Sequence, residues 1–294
     1  MAAIDWLGSL PGHIQYGSFL FGPGTRWRWD ELQGWEETPA VDSGTVLRST
    51  QHGAWPGVFL AQSRTVTFSL VIKSEPGEMN ATVRQFAAAT PIDSENEVPL
   101  VVQLDEEAPL LIYARCDRRT INVGRSNRTG LARGAIQFVA SDPRRYSLLE
   151  SSVITELPMP EDGLEFPLSF PLDWGETGST GNVECVNSGD ALTHPTIEIH
   201  GPCDTPSITN INTGDALEYD LSLSDADVLY IDTYQGTVTL NGTTANRLYT
   251  ATTQSVPEAT FTLPPGPTAL AFRSDDSPPD PAAYMKVTWR SAFW

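Results

Sequence analysis

Carboxylates are the side chains from which chemistry would most readily be built in this chain, with 37 Asp and Glu among 294 residues. The densest group is Asp220, Asp225, Asp227 and Asp232. A glycosidase needs two carboxyl groups facing each other across a bond. Asp220 and Asp232 instead flank separate short apolar runs. The stretch from Asp220 to Asp227 also lacks the glycine and closing glutamate of a calcium loop. These acids therefore read as solvated. Cys116, Cys185 and Cys203 show no CxxC spacing, and His13, His52, His194 and His200 do not cluster with them, so a tetrahedral zinc set is not expected. The cysteines read as reduced, buried thiols. No Gly-x-Ser-x-Gly, phosphate loop or His-Glu-x-x-His occurs. The expectation is a non-enzyme with no catalytic, cofactor-binding or metal-binding residues.

Two aromatic arrangements could bind rather than react. Trp27 and Trp29 share one face of a strand and Arg26 and Arg28 the other, which could stack bases. The simpler reading puts the tryptophans in the core and leaves the arginines solvated or paired. Trp174 and Tyr234 could stack on sugar rings, although no aromatic cluster surrounds them.

Charge narrows the choice of partner. Residues 1–150 carry 14 Lys and Arg against 17 Asp and Glu; residues 151–294 carry 4 against 20. Such a second half repels the nucleic-acid backbone, so specific nucleic-acid binding is not expected. Lysine occurs only at Lys73 and Lys286, which suits a high-GC genome or a high-salt organism. No apolar run is long enough to cross a bilayer, so no membrane insertion is expected. Residues 1–6 lack a basic region followed by an apolar one, which points to synthesis in a cytoplasm.

The elements that position these residues are mostly strands. Residues 64–73 alternate, with Val66, Phe68, Leu70 and Ile72 on one face and Thr65, Thr67 and Ser69 on the other. Residues 98–104, 110–116 and 135–140 are further short β-branched runs. Between Glu75 and Pro91 the period changes. Met79, Val83, Phe86, Ala87 and Thr90 line one face of a helix, expected at about 77–90, and Pro91 stops it. Pro143 ends a strand, and the polar, proline-bearing run 150–165 reads as a linker or an edge segment. The domain boundary is placed there, giving residues 1–150 and 151–294. In the second half, Leu217, Tyr219, Leu221 and Leu223 alternate with polar residues, and Asn241-Gly242 signals a hairpin turn. Residues 284–294 read as one closing strand with Val287, Trp289, Ser291 and Phe293 on a single face, both Trp289 and Phe293 buried. The fold class expected is mainly β, with two β-sandwich domains: the first carries the single helix and the second is of jelly-roll or galectin-like type.

In order and wording these segments resemble the distal tail proteins, or tail hub proteins, of long-tailed bacteriophages. The matching pieces are Tyr16-Gly17, Gly53-Ala-Trp-Pro-Gly57, the strand 64–72, the helix, residues 137–143, the Gly-Pro that follows Ile197-Glu-Ile-His200, and the terminus Trp289-Arg-Ser-Ala-Phe-Trp294. The resemblance covers nearly the whole chain. It implies a structural virion protein at the distal end of the tail, present in the host cytoplasm during assembly. It implies a homo-oligomeric, hexameric ring formed by the N-terminal domains, with a channel for DNA. The partners it implies are the tail tube protein and the tail-tip, tape-measure or baseplate hub proteins. A carbohydrate-binding, host-surface adhesion role with weak saccharide binding is the alternative.

Overall fold

The computed structural model describes residues 4–92, 95–105, 107–160, 178–242 and 244–294, and divides the chain between Leu148 and Leu149 into two compact units. Both are antiparallel and mainly β.

In the first unit β1 (His13–Tyr16), β2 (Phe19–Phe21) and β3 (Trp27–Gln33) precede four very short strands, β4 (Val41–Ser43), β5 (Val46–Leu47), β6 (Ala54–Trp55) and β7 (Phe59–Ala61). Then come β8 (Arg64–Lys73), α1 (Met79–Ala89), β9 (Val98–Gln103), β10 (Leu110–Asn122), β11 (Leu131–Ala140) and β12 (Arg145–Ser147). The main strand order is β2-β1-β9-β10-β11-β8-β3. The path turns a corner within β10. Residues 110–114 pair with β9, and residues 115–122 pair with β11, with a register shift between Cys116 and Arg118. Such a bulge lets one strand serve two packed sheets. Side chains from both, including Ile14, Phe21, Leu100, Phe68 and Phe138, fill one core.

Helix α1 lies close to its expected limits. Met79, Thr82 and Phe86 are its buried face. Its C-terminal carbonyls are met by a side chain: Arg119 of β10 donates to the Thr90 carbonyl at 2.7 Å and the Ala87 carbonyl at 3.2 Å. A guanidinium there satisfies orphan acceptors and opposes the negative end of the helix dipole. Trp27 and Trp29 pack partly buried against this core, as expected for them; Arg26 pairs with Glu78 at 3.4 Å, and Arg28 is exposed.

The corner between β11 and β12 is held by Asp142. It accepts from Arg144 Nε and Nη2, both at 2.8 Å, and from the Tyr146 hydroxyl at 2.6 Å. Burial by itself would raise the carboxyl pKa, but these partners outweigh it and hold the group below its ordinary 3.8. A depressed carboxyl pKa adds stability that is present above the unfolded value and is lost as pH falls through the folded one. Asp142→Asn is therefore expected to cost about 1–2 kcal/mol at neutral pH. The gap from wild type should narrow below pH 3.8. Chemical denaturation at pH 7 and in the acid range checks this; a gap independent of pH would refute it.

The second unit is a sandwich. One sheet has the order β13 (Ser151–Glu156), β23 (Tyr284–Trp289), β15 (Thr196–His200), β20 (Val228–Asp232), β21 (Thr237–Leu240). The other runs β14 (Asn182–Asn187), β22 (Gly266–Arg273), β17 (Ser207–Asn210), β18 (Ala216–Glu218). A small pair, β16 (Cys203–Asp204) and β19 (Ser222–Leu223), lies off both, and β24 (Ala292–Phe293) follows β23. The core between the sheets includes Ile197, Ile199, Leu229, Ile231, Phe272 and Trp289. Leu217, Tyr219 and Leu223 are buried, in keeping with their alternation, and Asn241 and Gly242 both take positive φ, as a tight hairpin turn requires.

One reading is resolved and one corrected. Of the two alternatives for residues 150–165, the edge segment holds where the run begins: β13 pairs along its length with β23 and is the edge strand of the five-stranded sheet. Its polar residues mark an edge with one solvated face. The closing segment is not one strand. β23 stops at Trp289, and Phe293 on β24 is only partly buried. Arg290 interrupts the pattern because its buried guanidinium turns to Glu150, 3.0 Å away. Trp174 and the rest of residues 161–177 lie outside the described residues.

Candidate assembly surface

Residues 40–62 form a narrow hairpin arm. Its lower rung pairs β4 with β7 (Val41 opposite Ala61, Ser43 opposite Phe59), and its upper rung pairs β5 with β6 (Val46 opposite Trp55). Between the rungs the strands approach so closely that a Cβ on Gly57 would lie 2.2 Å from the Gly44 carbonyl carbon, so only glycine fits. Apolar side chains cover the arm without being covered themselves. Leu47 is 82% exposed, Val58 76% and Phe59 71%, and Val46, Trp55 and Leu60 are more than half exposed. Near the tip the Arg48 guanidinium sits over the Trp55 ring, 4.2 Å from its centroid.

The root of the arm is rigid. Arg64, two residues after it, is fully buried. Its Nη1 donates to the carbonyls of Gly34 (2.9 Å), Trp35 (2.8 Å) and Glu37 (2.9 Å) on the segment that enters the arm, and its Nε donates to the Pro143 carbonyl (2.6 Å). Burial and then the nearby charge of Arg145 lower the Arg64 pKa, while Glu36 opposes this. Trp35 fills the core beneath, and Arg145 pairs with Glu36 at 2.8 Å. A flexible hairpin bearing this much apolar surface would collapse onto its own domain; a clamped root keeps it presented.

The residues weighed for chemistry do other work. Asp227 accepts from the Ser224 amide and hydroxyl and from Asn241 Nδ2, bonds that hold its pKa down at about 2 and tie two turns together. Asp232 accepts from the amides of Tyr234 and Gln235. These are turn caps. The three cysteines are free and buried, and burial pushes Cys185 and Cys203 up to about 12, beyond the range of a reactive thiolate. His13 is enclosed by the amides of Ser9 and Leu10 and the Pro23 carbonyl, and His200 stacks on Tyr284 at 4.1 Å. Among the described residues no group of three or more His, Cys, Asp or Glu is placed to hold a metal. Tyr234 is half exposed and meets His194 edge-on.

The hairpin form of the arm is not announced by the sequence. Its strands are only two or three residues long, too short to show either period.

Residues 188–293 match the family described as "Siphovirus-type tail component, C-terminal domain". Two solved structures share the fold. One is the crystal structure of SPP1 Dit (gp 19.1), described as a paradigm of the hub adsorption apparatus in phages infecting Gram-positive hosts. It is 12% identical with a TM-score of 0.66, over 96% of this chain and 99% of that one. The other is a chain of the phage P2 baseplate in its activated conformation with Ca, 12% identical with a TM-score of 0.50, over 90% and 91%. No curated protein matches the sequence. The matched segment lies within the second unit, and the likeness of the whole chain to these two solved structures is one of fold.

Proposed function

We propose that the protein forms a closed homo-oligomeric ring, six copies in a tail of sixfold symmetry, which joins the tail tube to the tip proteins and leaves an axial channel for DNA. The first unit makes the ring, and the second is a galectin-like sandwich. The carrying observation is the arm: a clamped hairpin whose apolar residues find no cover in their own unit. A ring needs two different surfaces on each subunit, one to give and one to receive. A protruding arm laid onto the neighbouring copy supplies the first. The reading involves no catalysis.

The test is assembly. Wild-type protein at high concentration should give ring particles in negative-stain micrographs and a sixfold mass by light scattering. The triple change Leu47→Ser, Trp55→Ser, Phe59→Ser should lower the ring population at least tenfold while leaving the melting temperature within about 2 °C, because the changed side chains are solvent-exposed in the monomer. An arm variant that assembles like wild type would overturn the role of the arm, and a wild type with no ring in solution or in virions would overturn the ring.

A further inference from the structure

The outward face of the sheet β3-β8-β11-β10 is basic, and five of its cations make no ion pair with a described residue. Strand register places Arg28, Val71, Arg133 and Asn122 in one row across four strands. Gln33, Thr67, Gln137 and Arg118 form a second row, and Thr65, Val139 and Arg115 a third. Lys73 stands at the end of β8. Arg28, Lys73, Arg115, Arg118 and Arg133 are all exposed, and none makes an ion pair with a described residue. With strands about 4.8 Å apart, the five charges crowd one flat surface and repel one another. Acids outnumber bases two to one in this chain, so nothing in composition explains why these five should lack partners.

We propose that this face docks on the acidic second unit of a neighbouring copy, adding an electrostatic contact to the ring that the first units make through their arms. The proposal rests on the ring reading. Charge complementarity identifies the occupant. Residues 151–294 hold 20 acids against 4 bases, and every basic face comes with one such unit. The acids nearest the small β16–β19 pair include Asp220, Asp225 and Asp275, all exposed, and no side-chain hydrogen bond or ion pair to a described residue engages them. The occupant is protein rather than nucleic acid for two reasons. The face interleaves its arginines with Val71, Ala135 and Val139, and it carries exposed acids, Glu31 and Asp117, at its bulges. A phosphate-binding surface has no use for either, whereas a mixed protein interface uses both, with guanidinium forks matching carboxylates. Net repulsion between copies of charge −19 does not prevent the contact. At physiological ionic strength the Debye length is about 8 Å, so distant charges are screened and touching pairs much less so.

The contact runs from one face to a different face, so a charge swap must work in trans. Variant one carries Arg115→Glu, Arg118→Glu and Arg133→Glu; variant two carries Asp220→Lys, Asp225→Lys and Asp275→Lys. Each should melt like wild type and remain unassembled, with the ring population down at least tenfold at about 0.15 M salt. Mixed in equal amounts they should form rings again, because alternating copies restore opposite charges at every junction, and native mass spectrometry should find even numbers with both masses. Loss of folding cannot mimic this recovery. If variant one assembles like wild type while the arm variant does not, the proposal falls and the ring reading stands. If both variants are folded and silent alone and the mixture stays silent, the proposal falls as well. A fluorescent 20-base-pair duplex that binds wild type but not variant one, while variant one still forms rings, would assign the face to nucleic acid and overturn it. A wild type that never assembles overturns both readings.

Discussion

Replacing Arg64 by methionine is expected to cost about 4 kcal/mol of folding stability, the largest loss from any change to a charged residue of the first unit. The side chain is fully buried and joins four backbone carbonyls on two separated segments. Methionine fills similar volume and offers no donor, so the carbonyls of Gly34, Trp35, Glu37 and Pro143 would be left in an apolar interior. A buried polar group deprived of its partner costs about 1–3 kcal/mol. Four such groups set a ceiling above the expected value. Partial rehydration lowers it, as does relief from burying a guanidinium whose Nη2 has no partner. Arg64→Lys should lose about half as much: a single ammonium keeps the charge but cannot fork toward both segments. Guanidinium chloride unfolding followed by circular dichroism checks both values. Because three of the four carbonyls lie on the chain entering the arm, the methionine variant should also be cleaved faster by protease within residues 40–62 under native conditions. Equal cleavage with reduced stability would separate the clamp from the presentation of the arm.

Arg64 also shows what was legible and what was not. The alternation that exposes Val66, Phe68, Leu70 and Ile72 as core residues puts Arg64 on the same face, two residues earlier. Parity alone therefore pointed to a buried arginine, and a buried arginine needs acceptors. What parity cannot name is those acceptors, since they are carbonyls 27 to 79 residues away. The helix was legible because one face of a 3.6 period must be apolar to pack. Strand β10 was legible only as far as Cys116. Beyond the bulge its outward side turns arginine-rich, and an outward row of charges carries no burial signal. The arm was legible only as the Gly53–Gly57 piece of the resemblance and not as a structural element, since its order comes from a Gly44–Gly57 approach and a root elsewhere in the chain, and its apolar residues are exposed rather than packed in a core. Arg290 shows the same limit: its buried guanidinium interrupts a local pattern because its partner, Glu150, is 140 residues away in sequence.

Truncating Trp289 to alanine is expected to cost about 3–5 kcal/mol, and truncating Phe293 about 1 kcal/mol, although both belong to the same aromatic terminus. Trp289 is nearly fully buried at the end of β23, a strand flanked on both sides, by β13 and β15. Its indole Nε1–H crosses the sandwich to the Val186 carbonyl on β14, 3.0 Å away. β14 is the edge of its sheet and has a ladder partner only in β22, so the indole supplies a donor that no neighbouring strand offers. Alanine therefore removes a large core volume, a link between the two sheets and the partner of a buried carbonyl together. Trp289→Phe keeps most of the packing and loses the donor, and should cost about 1–2 kcal/mol. Phe293 is partly solvated and has less to lose. Urea unfolding followed by circular dichroism should show the Trp289 change lowering the transition of the second unit, with that of the first unaffected. Deleting residues 284–294 removes β23 from the middle of its sheet and should leave a second unit with no cooperative transition. If that deletion melted like the parent, or if Trp289→Ala and Phe293→Ala cost the same, the indole would not be joining the sheets.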